Sequence, residues 1–318
     1  MEFIHPHKAG KILGVIHEPQ PTIHPIDLVR AATPSARPST YLPEPFFALP
    51  VLMQGFTSQC GGYSLAQLIT YLKAANDPKL SGSFDYAFEK TVDGYPNQDG
   101  TTISAIGKAG NLTGSCLDSL FPDDGMLSTS PQAIVTTPWA SANQQARQDA
   151  LSRLLGQPFL LTDLSIDGIH QASYENQAVI LEVELGSEWY TAPNGAESWA
   201  AADVLPIRPP KTVIDSHFIL VAPYDEPNDR TWFCNSWSAT WAQNGFGYFN
   251  SNYAPFIKAG VAFRTVPPSV ATVLNNEALP TPQKQQIIQT ILEDIEQALG
   301  LIRHEIGSSP VKVGKQDL

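Results

Sequence analysis

The chain has 318 residues, 42% of them hydrophobic, and a formal net charge of −12. That length supports a two-lobed globular body plus tails, while the acidic balance excludes the basic footprint that a nucleic-acid partner needs. No run approaches the roughly 18 apolar residues of a membrane span, and the first residues, MEFIHPHKAGKILGVIHEP, show neither the apolar core nor the cleavage-like site of a signal peptide. A cytoplasmic protein, or one released by lysis or a non-standard route, is the expectation.

In chain order, residues 1–44 are rich in proline and histidine and show no period, so they read as an extended arm. The arm either packs on the body or lies across a groove as an inhibitor. Its His5, His7, His17 and His24 have no metal-ligand spacing, and neither a metal nor an organic cofactor is implied anywhere in the chain.

From Gln54 to Leu72, QGFTSQCGGYSLAQLITYL, a polar loop delivers Cys60 to the first turn of a helix whose stripe is Leu65, Leu68, Ile69 and Leu72. A cysteine at a helix N-terminus is expected to favour thiolate, because unpaired N–H groups and the positive end of the helix dipole face it. A small buried hydrophobe is the competing reading. Gly61 and Gly62 weaken the first turn but allow close approach by substrate or another backbone.

Further helices are expected near 101–111 and over 143–156, the latter with a basic last turn and a terminal glycine. From 166 onward strands take over: 178–185, a run entered by His217, TWFCN, FGYF and AGVAFRTV. The long loop from Ser187 to Pro210 offers Trp189, Tyr190 and Trp199 either as walls of a cleft or as packing on the sheet. Cys116 and Cys234 read as buried small residues, and three cysteines allow at most one disulfide if Cys60 is a nucleophile.

The run SHFILVAPYDEPNDRTWFCNSWSATWAQNGFGYF, Ser216–Phe249, predicts two antiparallel strands, with His217 entering one and Asn235 leaving the other. Such a register brings an imidazole beside a carboxamide. A cysteine nucleophile needs that set: a base for its proton and a third group to fix the base's tautomer.

Asn235-Ser236-Trp237, then Trp241 and an aromatic–glycine pair, resemble the papain-like cysteine peptidases, and Gln54 stands six residues before Cys60 as the family's oxyanion-hole glutamine does. The order Gln, Cys, His, Asn matches, with 157 residues from Cys60 to His217 and 18 more to Asn235. The resemblance implies Cys60 as nucleophile, His217 as base, Asn235 orienting His217, Gln54 lending its amide to the oxyanion, and Trp237 and Trp241 in support. It also implies Gly100 as the glycine that pairs with substrate backbone, and places Asp215 near the pocket for the second substrate residue.

The family's Cys-Gly-Ser-Cys-Trp is absent, Gly61 standing where its tryptophan would be, and Ala242 replaces the glycine usual after the second tryptophan. Gln-Cys-Gly is also similar to the bacteriocin-leader peptidases, which use cysteine, histidine and aspartate and in which no Asn-Ser-Trp is expected.

The implied fold is α+β with two lobes, a helical left lobe and an antiparallel, barrel-like right lobe, followed by a C-terminal amphipathic helix. The expected organisation is an arm over 1–44, a peptidase domain over 45–268 (45–165 helical, 166–268 β), a linker over 269–282, a helix over 283–307 and a tail over 308–318. In that last helix Ile288, Leu292, Ile295, Leu299, Ile302 and Ile306 follow a/d spacing, which suits self-association, docking on a larger assembly, or folding back on the body.

The implied activity is peptide-bond hydrolysis through an acyl-thioester, with a peptide or protein as substrate. The alternatives are a peptidoglycan-cleaving cysteine amidase or endopeptidase, an inactive papain-fold binding module, and a scaffold protein assembled through the terminal helix.

Overall fold

The computed structural model describes residues 15–18, 36–55, 57–73, 79–123, 138–191 and 206–264. The chain divides into two units, Met1–Val266 and Pro267–Leu318. The second unit, with the linker, the a/d helix and the tail expected there, lies outside the described residues, as does Trp199. Among the described residues no helix is long and apolar enough to cross a membrane.

Among the described residues six α-helices, α1 (Glu44–Phe47), α2 (Cys60–Lys73), α3 (Gly82–Val92), α4 (Ile103–Leu112), α5 (Gln144–Leu151) and α6 (Ile166–Asn176), accompany seven strands. The strands are β1 (Thr40–Tyr41), β2 (Pro158–Leu160), β3 (Val179–Leu185), β4 (Asp215–Asp225), β5 (Arg230–Cys234), β6 (Phe246–Phe249) and β7 (Ile257–Phe263). The sheet is antiparallel throughout, in the order β2-β7-β3-β4-β5-β6 with β1 added against β4. Helices come first and most strands second, the α+β plan expected from the sequence.

Local chemistry sets the helix starts. Side-chain oxygens of Ser81, Thr102, Asn143 and Ser165 accept from the backbone N–H groups of Phe84, Ala105, Ala146 and Gly168, capping α3 to α6. Helix α5 stops at Leu151, short of the expected 156, because Ser152 Oγ and Arg153 Nη1 both take the Asp149 carbonyl that would continue the ladder.

Two elements depart from the expected partition. Helix α6 occupies sequence assigned to strands: its apolar residues are few, but the Ser165 cap starts it and Ile169 buries it against β3 and β4. Strand β2 lies in the nominally helical half, where Phe159 joins the core beneath the sheet and pairs with Ala262 of β7.

Every residue of α2 from Cys60 to Thr70 is buried, so the helix is not the one-sided amphipathic element its leucines suggested. It is central, packed against α3 and α4 on one side and β4 on the other. Gly62 permits the closest approach: an added Cβ would lie 2.2 Å from the Gly82 carbonyl oxygen and 2.6 Å from the Tyr86 amide nitrogen of α3. Of the two kinds of neighbour the glycine pair allowed for, Gly62 meets backbone.

The sheet's inner face supplies the second core. Leu181, Val183, Ile219, Val221 and Phe233 pack with Ile169 of α6 and with Trp189, Trp237 and Trp241. Strands β3 and β4 are in register with Val183 opposite His217 and Leu185 opposite Asp215, which puts His217 near the start of β4.

Candidate active site

Cys60 opens α2 and His217 enters β4, and the two elements pack directly on each other. Ser64, one turn after Cys60, donates its hydroxyl to the Phe218 carbonyl at 3.0 Å. Backbone hydrogen bonds at Phe218 and Gly61 lower the Cys60 thiol's pKa. A bond that does so favours the thiolate. The helix that Cys60 opens is thus tied to the residue next to His217.

His217 Nε2 meets Asn235 Oδ1 at 2.8 Å, and the Ser236 backbone N–H donates to the same oxygen at 2.8 Å. A backbone N–H can only donate, which fixes that atom of the amide as oxygen. The oxygen accepts, so Nε2 carries the ring proton and Nδ1 is left as the basic nitrogen. The Trp237 ring lies 5.0 Å from the His217 ring, and that of Trp189 is at 6.2 Å, edge-on. Together they keep the amide–imidazole bond away from water.

Gln54 belongs to the same construction. Its backbone N–H donates to the Ser236 carbonyl at 2.9 Å, and its Oε1 accepts from the Ser236 hydroxyl at 2.6 Å. The hydroxyl sets the orientation of the amide, whose Nε2 gives one proton to the Thr57 carbonyl at 2.8 Å. One residue, Ser236, thus fixes two carboxamides at once. A bridge between Met53 and Trp237 continues the pairing.

Burial acts on both members of the pair. Burial pushes the Cys60 thiol up, and the charges of Asp215 and Glu89 push the same way, against the two backbone hydrogen bonds. Burial also pushes His217 down to about 4, with the Asn235 hydrogen bond opposing. Desolvation of the buried sulfur opposes the thiolate that the helix N-terminus favours. Asp215 is itself pushed up to about 7 by burial, its carboxylate eased by the Ser216 N–H at 2.7 Å.

Gly100 is committed internally. Its N–H donates to the Tyr86 hydroxyl at 3.0 Å, and its carbonyl accepts from Lys90 Nζ at 2.9 Å and from that hydroxyl at 3.3 Å. The neighbouring Thr101 carbonyl is the group that pairs, taking the Ile16 N–H at 2.7 Å beside a parallel Val15–Thr101 bridge. Backbone pairing by Gly100 requires the Tyr86 and Lys90 bonds to open.

Both described pieces of the N-terminal arm pack on the body. Residues 15–18 run past Thr101, with Glu18 accepting from the Ser104 N–H at 3.1 Å and His17 facing Glu182 of β3 at 3.2 Å. Residues 40–41 pair with β4. Trp189 takes the packing role rather than lining open space: it is fully buried and donates to the Tyr253 hydroxyl at 2.7 Å.

Ala242, standing where a glycine was expected, has φ of +42°, in the left-handed region, and so do Ser238 and Asn244. The loop after Asn235 thus keeps a glycine-like path without the glycine. Among the described residues no group of three or more histidine, cysteine, aspartate or glutamate side chains is placed to hold a metal. Sequence reasoning missed Ser64, Gln67 and Ser236, whose polar atoms sit at buried positions of apolar stretches. That mismatch was the available signal.

The sequence matches no family model and no curated protein. Solved structures do resemble the chain. Xylellain, a cysteine protease from Xylella fastidiosa, is 19% identical with TM-score 0.53, over 74% of this chain and 95% of its own. Procathepsin B S9 from Trypanosoma congolense is 12% identical with TM-score 0.57, over 80% and 87%. The cysteine protease CMS1MS2 of Carica candamarcensis, in complex with E-64, is 14% identical with TM-score 0.51, over 72% and 99%. The chain has the papain-like fold.

Proposed function

We propose that the chain is a cysteine endopeptidase using Cys60, His217, Asn235 and Gln54. The observation that carries this reading is the tautomer set by Ser236 and Asn235, which leaves His217 Nδ1 basic on the strand that packs against the Cys60 helix. In the proposed reaction Nδ1 takes the thiol proton and sulfur attacks the peptide carbonyl. The Cys60 backbone N–H and the second amide proton of Gln54 hold the resulting oxyanion. His217 then protonates the leaving amine, and water activated by the same ring releases the acid from the thioester. Trp237 and Trp241 support the ring, and the role of Asp215 is electrostatic, since its charge opposes thiolate formation.

The burial of both Cys60 and His217 favours one other reading, a papain-fold binding module without turnover. Incubation with an epoxide or iodoacetamide at neutral pH, alongside a peptide library and a muropeptide digest, decides among the readings. Labelling of Cys60 with peptide cleavage, both lost in Cys60→Ala and His217→Ala, is the expected result. Muropeptide cleavage alone points to a cell-wall amidase, and neither labelling nor cleavage to the binding module.

A further inference from the structure

Cys60, Ser64 and Gln67 stand at i, i+4 and i+7 on α2 and share one face of the helix, apart from the leucine stripe. Gln67 Nε2 donates to the Asn235 carbonyl at 3.1 Å and lies 3.1 Å from Cys234 Sγ. The Cys234 thiol points weakly at the same carbonyl, at 3.7 Å. Gln67 is fully buried, and its Oε1 has no hydrogen-bond partner. An amide in the middle of a buried helix, half satisfied, is an expensive way to fill space. Local stability gives no reason for it, and a rule broken at a buried position points to function.

We propose that Gln67, with Ser64 one turn earlier, is a positioning residue that fixes the distance between the nucleophile and its base. The proposal rests on the cysteine-peptidase reading. A helix is a rigid ruler, and seven residues span about 10 Å between the sulfur end and the Gln67 end. Ser64 ties that ruler to β4 at the carbonyl following His217. Gln67 ties it to the carbonyl of Asn235, whose own Oδ1 holds the His217 ring. The imidazole is thus referred to the Cys60 helix from both sides, through its backbone neighbour and through its ring partner. Without the second tie, Asn235 follows β5 rather than α2, and the ring loses its reference to the sulfur. A misplacement of about 1 Å at a reacting pair costs on the order of a hundredfold in rate.

Gln67→Met keeps the volume and removes the donor. The expected result is a ten- to hundredfold loss in kcat with KM within about threefold, a matching loss in the rate of Cys60 alkylation by iodoacetamide, and a shifted His217 Nε2–H resonance in the ¹⁵N-histidine spectrum. Gln67→Glu, buried and therefore protonated at low pH, can still donate to the carbonyl; it should approach wild-type alkylation near pH 5 and fall to the Gln67→Met level near pH 8. A merely structural role would lower the melting temperature of both variants and leave alkylation and the His217 resonance of the folded fraction unchanged, and that result overturns the proposal. Should Gln67→Met fail to fold, Gln67→Glu and Ser64→Ala carry the same test. Should the wild type neither alkylate nor cleave, the peptidase reading fails by itself, and the His217 resonance still decides whether Gln67 sets the ring.

Discussion

Replacing Asp215 by asparagine isolates one charge whose pH dependence can be worked out in advance. The carboxyl lies two residues before His217 and is pushed by burial from its ordinary 3.8 to about 7. Between those values the folded chain keeps a proton that the unfolded chain has released. The stabilisation is complete below the unfolded pKa and is lost as pH rises through the folded one, at about 1.4 kcal/mol per pH unit. Over about three units this accumulates to about 4 kcal/mol, and to about 2 once solvent reaching the half-buried carboxyl is allowed for.

Asparagine retains an oxygen for the Ser216 N–H and cannot ionise. Urea denaturation of the two proteins should therefore coincide below about pH 3.8, the unfolded value, and diverge by about 2 to 4 kcal/mol in favour of Asp215→Asn by pH 8. Because the same charge pushes the Cys60 thiol up, alkylation of Cys60 above pH 7 should be faster in the variant. A stability difference that stays constant over this range would show that burial does not govern Asp215, and the reasoning would be refuted.

Four other outcomes are expected. Asn235→Ala removes a buried bond to His217 and should leave a remnant of activity, about thirty- to a hundredfold down, measured as alkylation or peptide turnover. Ala242→Gly relieves a left-handed alanine at the cost of a looser unfolded chain, a net gain of about 0.5 kcal/mol visible as a rise of a degree or two in Tm. Gly62→Ala forces a methyl onto the α3 backbone, which cannot step aside as a side chain would; a loss of about 3 kcal/mol or more, or failure to fold, should appear in the same melts. Deleting residues 1–35 takes away the segment paired with Thr101 beside Gly61, and Cys60 should alkylate faster; an unchanged rate would separate that segment from access to the thiol.

The α+β class was legible because its signals are local. A 3.6-residue stripe marked α2, and alternating or continuous apolar runs marked β3 to β7. What escaped the sequence depends on distant partners. Helix α6 has only a few apolar residues and is made by the surface it covers. The roles of Gln67 and Ser64 depend on the strands bearing Phe218 and Asn235, which only the fold brings beside them. The electrostatics of Cys60 divide in the same way: a helix terminus is visible in sequence, whereas the desolvation that opposes its thiolate is a property of everything packed around the sulfur. Gly100 follows from the resemblance alone, whereas the use of its backbone by Tyr86 and Lys90 depends on the fold.

Lys90 gathers the carbonyls of Tyr95, Gln98 and Gly100 around one ammonium, at 2.8, 2.8 and 2.9 Å, with Asp93 balancing the charge. In a chain whose three cysteines are all free, this electrostatic clasp does what a crosslink would do for the loop, and reductants leave it intact. Its weakness is chemical instead. Carbamylation or acetylation of one amine would strip the charge from all three carbonyls together and loosen the turn that leads into Thr101.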